Sequence, residues 1–87
     1  MPYIAQIGRK SCEAELSALA KRLNGMDGGP GLLNYAITSL ILRTQALKGY
    51  KDMNAVMGVL ACCQMELYRR VIGPYETKKA AENGEVY

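Results

Sequence analysis

Histidine, tryptophan and phenylalanine are all absent from this 87-residue chain. Histidine is the usual general base near neutral pH, so its absence removes the Ser–His and Cys–His pairings of nucleophilic catalysis. Cysteine is scarce, with three residues of which Cys62 and Cys63 are adjacent. An odd number in this arrangement makes no disulfide framework. Adjacent cysteines on a helix point about 100° apart, and no C-x-x-C pair is present, so no tetrahedral zinc site is expected. The three thiols read instead as small core hydrophobes in a reducing compartment, which makes the cytoplasm the expected location. Charge of one sign is also thin. The net charge is +3 and no run of five or six like charges occurs, so no nucleic-acid arm is visible.

Long apolar runs are missing as well. The longest apolar stretches without charge, 53–65 and 32–42, fall short of the ~20 residues that span a bilayer. Met1 is not followed by a cationic region and an apolar segment, so no leader and no membrane partner are expected. What is present is apolar content near half, with six tyrosines as the only aromatics. Each tyrosine ring carries a hydroxyl that needs a partner, which suits an interface or a wet pocket better than a dry core. A chain this short buries only about 60–65% of its unfolded surface. Its core is therefore thin unless self-association adds to it.

The periodicity predicts an all-α fold: a small bundle of three main helices, with a short C-terminal helix after a Gly-Pro break. The whole chain, 1–87, reads as one domain. Residues 1–8 form an extended lead-in, and the first helix runs from about Arg9 or Ser11 to Leu23, with Cys12, Leu16, Leu19 and Leu23 in one narrow stripe. Residues 25–31 (GMDGGPG) are a glycine-rich loop, with Pro30 placed for the first turn of the next helix. That loop could cradle a phosphate at a helix N-terminus, although a plain connection fits better because no Gly-Lys-Ser/Thr follows.

The second helix, 32–48, has a broad face of Leu32, Leu33, Ala36, Ile37, Leu40 and Leu47, with Tyr35, Leu42 and Ala46 nearly opposite. The third begins with Asp52 as N-cap. Its core stripe is Met53, Val56, Met57, Leu60, Cys63, Leu67 and Val71. The opposite face carries Ala55, Gly58, Val59, Ala61, Cys62 and Met65, where solvent should meet charge. Helices apolar on two sides are buried on two sides, and the first helix is too narrow to cover both spare faces. A homo-oligomer is therefore expected, with Ala55, Gly58, Val59, Cys62 and Met65 at its interface. Gly73-Pro74 breaks or kinks the third helix. A last helix, 75–82, stops at Asn83-Gly84, and residues 83–87 form a tail.

The carboxylates have structural explanations: Asp52 as a cap, Glu66 four before Arg70, Lys78 four before Glu82. Lys- or Tyr-based hydrolysis is the catalytic chemistry left, nothing in the pattern supports it, and no enzyme is expected. The densest polar cluster is Tyr68-Arg69-Arg70, then Tyr75, Lys78 and Lys79 beyond the Gly-Pro step. Guanidiniums and phenols around a bend can grip a phosphate or stack on a base. Equally, basic residues at a helix C-terminus complement its dipole. No cofactor is implied.

The segments MPYI (1–4), LNYAIT (33–38), YRRVIGPYE (68–76) and ENGEVY (82–87) together resemble a family of short bacterial and phage proteins classed as a domain of unknown function. The resemblance covers nearly the whole length and implies a stand-alone helical protein of phage or prophage context, in the host cytoplasm. It carries no site residue, and the loop at 25–31 is richer in glycine than such proteins have.

The expected function is a non-enzymatic binding protein. In the first reading it is an oligomer that sequesters an anionic, nucleotide-like small molecule, as an anti-defence sponge would. Asn34, Tyr35, Thr38 and Arg43 would line the pocket, and Tyr68, Arg69, Arg70, Tyr75 and Lys78 would contact the anion. In the second it is a protein-interaction module or inhibitor working through an apolar helix face. Nucleic-acid binding ranks below both, because the positive charges are spread along the chain.

Overall fold

The computed structural model describes residues 4–87, so the first three positions of the expected lead-in lie outside the described residues. The described chain is helix after helix, and no strand forms among these residues. This is the all-α class that the periodicity implies. The chain divides into two units, Met1–Arg43 and Thr44–Tyr87.

In the first unit, α1 covers Gln6–Lys10, α2 Glu13–Asn24 and α3 Gly29–Arg43. The extended lead-in is corrected here, because residues 6–8 are already helical. The expected first helix is also two helices. At the step between them the Ser11 hydroxyl donates to the Gly8 carbonyl at 2.6 Å, and the Cys12 thiol faces the Arg9 carbonyl at 3.8 Å. Side chains that bond back to local carbonyls compete with the helical ladder, and the helix restarts at Glu13. There Glu13 and Glu15 sit in the first turn, with Lys21 and Arg22 in the last, matching the dipole at both ends. The glycine-rich segment is loop only as far as Gly28. Gly29 adopts φ +57°, a left-handed conformation that favours glycine, and Pro30 follows it in the first turn of α3.

In the second unit, α4 covers Tyr50–Leu67, a π-helical turn covers Tyr68–Ile72, and α5 covers Gly73–Asn83. Two boundaries need correction. The second helix was expected to reach Lys48 but stops at Arg43, and beyond it the Thr44 hydroxyl accepts the Ala46 N–H at 3.3 Å. That turn satisfies the amide outside a helix. Asp52 is not the N-cap of α4. Extended Gly49 holds that place, and Asp52 lies in the first turn, where its charge still suits the dipole.

The Gly-Pro step behaves differently from a break. Helical backbone continues through it, because the Gly73 N–H reaches back five residues to the Tyr68 carbonyl. A π-turn takes up one extra residue inside a helix, and it does so here immediately before Pro74, which has no N–H to give.

Within each unit, no described residue lies in contact with another twelve or more positions away. No side chain among the described residues is fully buried. The predicted core stripes are half-buried at best, as at Leu23, Leu32, Val56 and Leu60. Leu16, Leu19, Ile37, Leu40 and Met57 are exposed. Cys12, Cys62 and Cys63 are exposed too, which corrects their reading as core residues. No helix among the described residues is long and apolar enough to cross a membrane.

Candidate functional site

Polar chemistry in the second unit gathers at the π-turn. Glu66, in the last turn of α4, accepts from two guanidiniums. Arg69 Nη2 lies 3.1 and 3.0 Å from its two oxygens, and Arg70 Nε lies 3.4 Å from Oε2. Residues three and four apart share a helix face, so both arginines reach the same carboxylate. These pairs are exposed and screened, and contribute little to stability. Their effect is on charge: hydrogen bonds from Arg69 and then Arg70 hold the Glu66 carboxyl below its ordinary range. Two formal positive charges therefore present as a net single one.

On the turn itself, the Tyr68 hydroxyl donates to Glu76 Oε2 at 2.7 Å. A partner eight residues on does not fit a plain α-helix, where two turns take about seven residues. The additional residue taken up at 68–72 brings the pair into line. The same geometry constrains Gly73, where an added Cβ would lie 3.2 Å from the Tyr68 carbonyl oxygen and 3.6 Å from its ring. One turn on, the Thr77 hydroxyl donates to the Gly73 carbonyl at 3.1 Å. Beside this turn lies an open groove of about 710 Å³, lined by Tyr68, Arg69, Gly73, Thr77 and Glu85 among others. A second groove, of about 390 Å³, runs between Tyr75, Lys79 and Asn83 and the tail residues Val86 and Tyr87.

The residues proposed from sequence are therefore distributed. Tyr68 and Arg69 line the first groove and Tyr75 the second, while Arg70 and Lys78 line neither. Lys79 rather than Lys78 engages the helix end. Its ammonium pairs with Glu82 at 3.2 Å and lies 5.7 Å from the Tyr75 ring centroid. This corrects the expected Lys78–Glu82 pair, since i,i+3 is as close as i,i+4 on a helix. Asn34, Tyr35, Thr38 and Arg43 belong to α3 of the first unit. There the Thr38 hydroxyl donates to Asn34 Oδ1 at 3.3 Å, and Tyr35 stands exposed. The interface candidates Ala55, Gly58, Val59, Cys62 and Met65 are all exposed on α4. The sequence reading missed Glu76 and the tail as participants, and it counted Lys79 in the polar cluster without giving it a ligand contact. The Tyr68–Glu76 spacing becomes a signal only once a π-turn is placed at the Gly-Pro step. Among the described residues, no three Cys, Asp or Glu side chains sit together where a metal ion could be held.

The Tyr68 bond has a pH consequence. Its hydroxyl donates only while protonated, and the bond to Glu76 raises its ionisation above the ordinary tyrosine value. The contribution is present below pH ~10, the unperturbed tyrosine range, and is lost as pH rises through the raised value. Glu66 works in the opposite sense. Its pairing is present above the ordinary carboxylate range and is lost as pH falls through the lowered value. A spectrophotometric titration at the phenolate band is expected to show a late-ionising tyrosine that vanishes in both Tyr68→Phe and Glu76→Gln. A late component that survives both changes would rule out this assignment.

A family model described as Domain of unknown function (DUF6899) matches residues 1–86. No curated protein and no solved structure matches the chain. The chain belongs to the DUF6899 family.

Proposed function

We propose that this member of a family without an assigned activity is a non-enzymatic binding protein that works as a self-associated helical assembly. The observation that carries the reading is the fate of its apolar side chains. Among the described residues none is buried, while Leu33, Leu40, Met57 and Met65 are each half or more exposed on charge-poor helices. Contiguous apolar faces of this kind mark interaction surfaces in soluble proteins. The lack of histidine supports the non-enzymatic part, and three free thiols suit a reducing cytoplasm. Light scattering on the purified protein tests this reading: a mass of two or more chains at micromolar concentration is expected, and a monodisperse monomer would overturn it.

A second reading rests on the groove at the π-turn. There Tyr68 and Arg69 offer a phenol and a guanidinium to an anionic, nucleotide-like ligand. An assembly holding such sites would act as a sponge for a host signal, in keeping with a phage setting. An entering phosphate must share Arg69 with Glu66, which favours modest affinity. Saturating cyclic and linear nucleotides are expected to raise the melting temperature, as ligand linkage requires. The double variant Arg69→Ala/Arg70→Ala should abolish the rise. Equal behaviour of wild type and variant across the panel would remove this reading and leave interaction through an apolar helix face, with a host protein or with another copy.

A further inference from the structure

We infer that the groove between α5 and the tail is a docking site for an arginine side chain of a partner protein. The site is independent of the assembly and of the anion proposed above, and it draws on the ENGEVY segment that neither of them uses. Its walls hold two phenol rings and two carboxylates. Tyr75 and Glu76 come from the first turn of α5, and Glu85 and Tyr87 from the tail. The return of the tail is built into the backbone. Gly84 adopts φ 87° and ψ 154°, a combination open essentially to glycine alone. Its N–H donates to the Ala80 carbonyl at 2.8 Å and closes the helix. The residues after it line one groove with Tyr75 and Lys79.

Charge selects a cation. Of the charged residues that line this groove, Lys79 is neutralised by Glu82 at 3.2 Å. Glu76 accepts from a neutral phenol, which leaves its charge in place. Glu85 has no ion-pair partner among the described residues. Arg69, Arg70 and Lys78 do not line the groove. The rings agree with that sign. The Lys79 ammonium lies 5.7 Å from the Tyr75 ring centroid, inside the range of about 6 Å over which an aromatic face attracts a cation. The chain's own ammonium already occupies the place that a second cation would take.

Size and openness narrow the occupant. The groove holds about 390 Å³, near the lower end for ligand sites, and every lining residue except Ala80 is exposed. A free small molecule needs most of its surface buried, which so open a groove does not provide. A side chain carried on another protein needs only its head group held. Guanidinium fits better than ammonium, because its plane stacks on a phenol while its fork pairs with a carboxylate.

Amide NMR of the full chain tests the site. The probe is the peptide acetyl-Gly-Arg-Gly-amide, and its citrulline counterpart, of nearly the same shape without the charge, is the control. The arginine peptide is expected to move the amides of 75–76 and 84–87 with a roughly millimolar dissociation constant. The citrulline peptide should bind about tenfold more weakly. Glu85→Gln and Tyr75→Leu should each weaken the arginine peptide by about threefold to fivefold. Lys79→Gln has the opposite sign: removing the resident ammonium frees the ring and should tighten binding by a similar factor. Gly84→Ala adds only a methyl group, yet it should cost about tenfold by turning the tail away from α5. Equal binding of the two peptides, or weaker binding in Lys79→Gln, would overturn the site. Methylguanidinium binding as tightly as the peptide would reassign the groove to a free cation. Tail amides that shift on dilution of the protein alone would reassign it to a second copy, and either result overturns the partner.

Discussion

Met65→Lys is expected to lower the melting temperature by about 10 °C and to loosen a dimer by a factor of roughly a thousand. The basis is a contrast between two readings of one residue. Met65 is 64% exposed in a single chain, and lysine matches methionine in length and helix propensity. A substitution at a truly solvated site changes stability by no more than about 0.5 kcal/mol. At a covered site, the lost apolar burial costs about 2 kcal/mol per protomer, even after the lysine stem snorkels towards water. A two-fold interface suffers that loss twice, and about 4 kcal/mol corresponds to the factor given. The comparison is Ala81→Lys, on the exposed side of α5, which should leave both quantities unchanged. Thermal melts at two protein concentrations, together with light scattering, measure the effect. A Met65→Lys chain that melts like wild type would mean this face stays in solvent.

The loop before α3 should give the next largest effect, through three glycines that differ in their surroundings. At Gly28, an added Cβ would collide with the Leu32 side chain, meeting its Cβ and lying 2.9 Å from Cδ2. Since a Cβ cannot swing aside, the backbone must shift, and overpacking of this kind costs about 1–3 kcal/mol. At Gly29 the space is open but φ is +57°, and a left-handed conformation costs an alanine about 1–2 kcal/mol. Gly31 has neither a neighbour nor a positive φ, so alanine there should gain about 0.5–1 kcal/mol of helix stability. The expected order of melting temperatures is Gly31→Ala above wild type, with Gly28→Ala and Gly29→Ala several degrees below it. Three variants that melt together would show that the entry to α3 is not constrained in this way.

The contrast among these glycines indicates what could be read from the sequence. Composition and the 3.6-residue period were enough for an all-α chain, and they located α2, α3 and α4 to within a few residues. Helix ends were less legible, because they depend on single hydrogen bonds. Ser11 and Thr44 terminate helical runs by satisfying backbone groups locally, and a hydropathy pattern carries no trace of such choices. The GMDGGPG segment announced a turn, but not that Gly29 alone holds a positive φ there. At the candidate site, the Glu66–Arg70 pair followed from helix spacing. The Tyr68–Glu76 pair did not, since its separation makes sense only around a π-turn. Proline chemistry suggested an interruption at Gly73-Pro74, whereas the backbone absorbed the missing donor by widening a single turn.

That widened turn shifts the phase of everything downstream of it. One surplus residue between Leu67 and Gly73 sets the later positions back by about 100°, so heptad counting carried from α4 into α5 assigns side chains to the wrong flank. Deleting one residue within 68–72 would restore ordinary winding. Such a deletion would leave Tyr75, Lys79 and Glu82 on the sides they already share with Glu66, whereas regular α-winding through 68–72 with no deletion would rotate all three as a block.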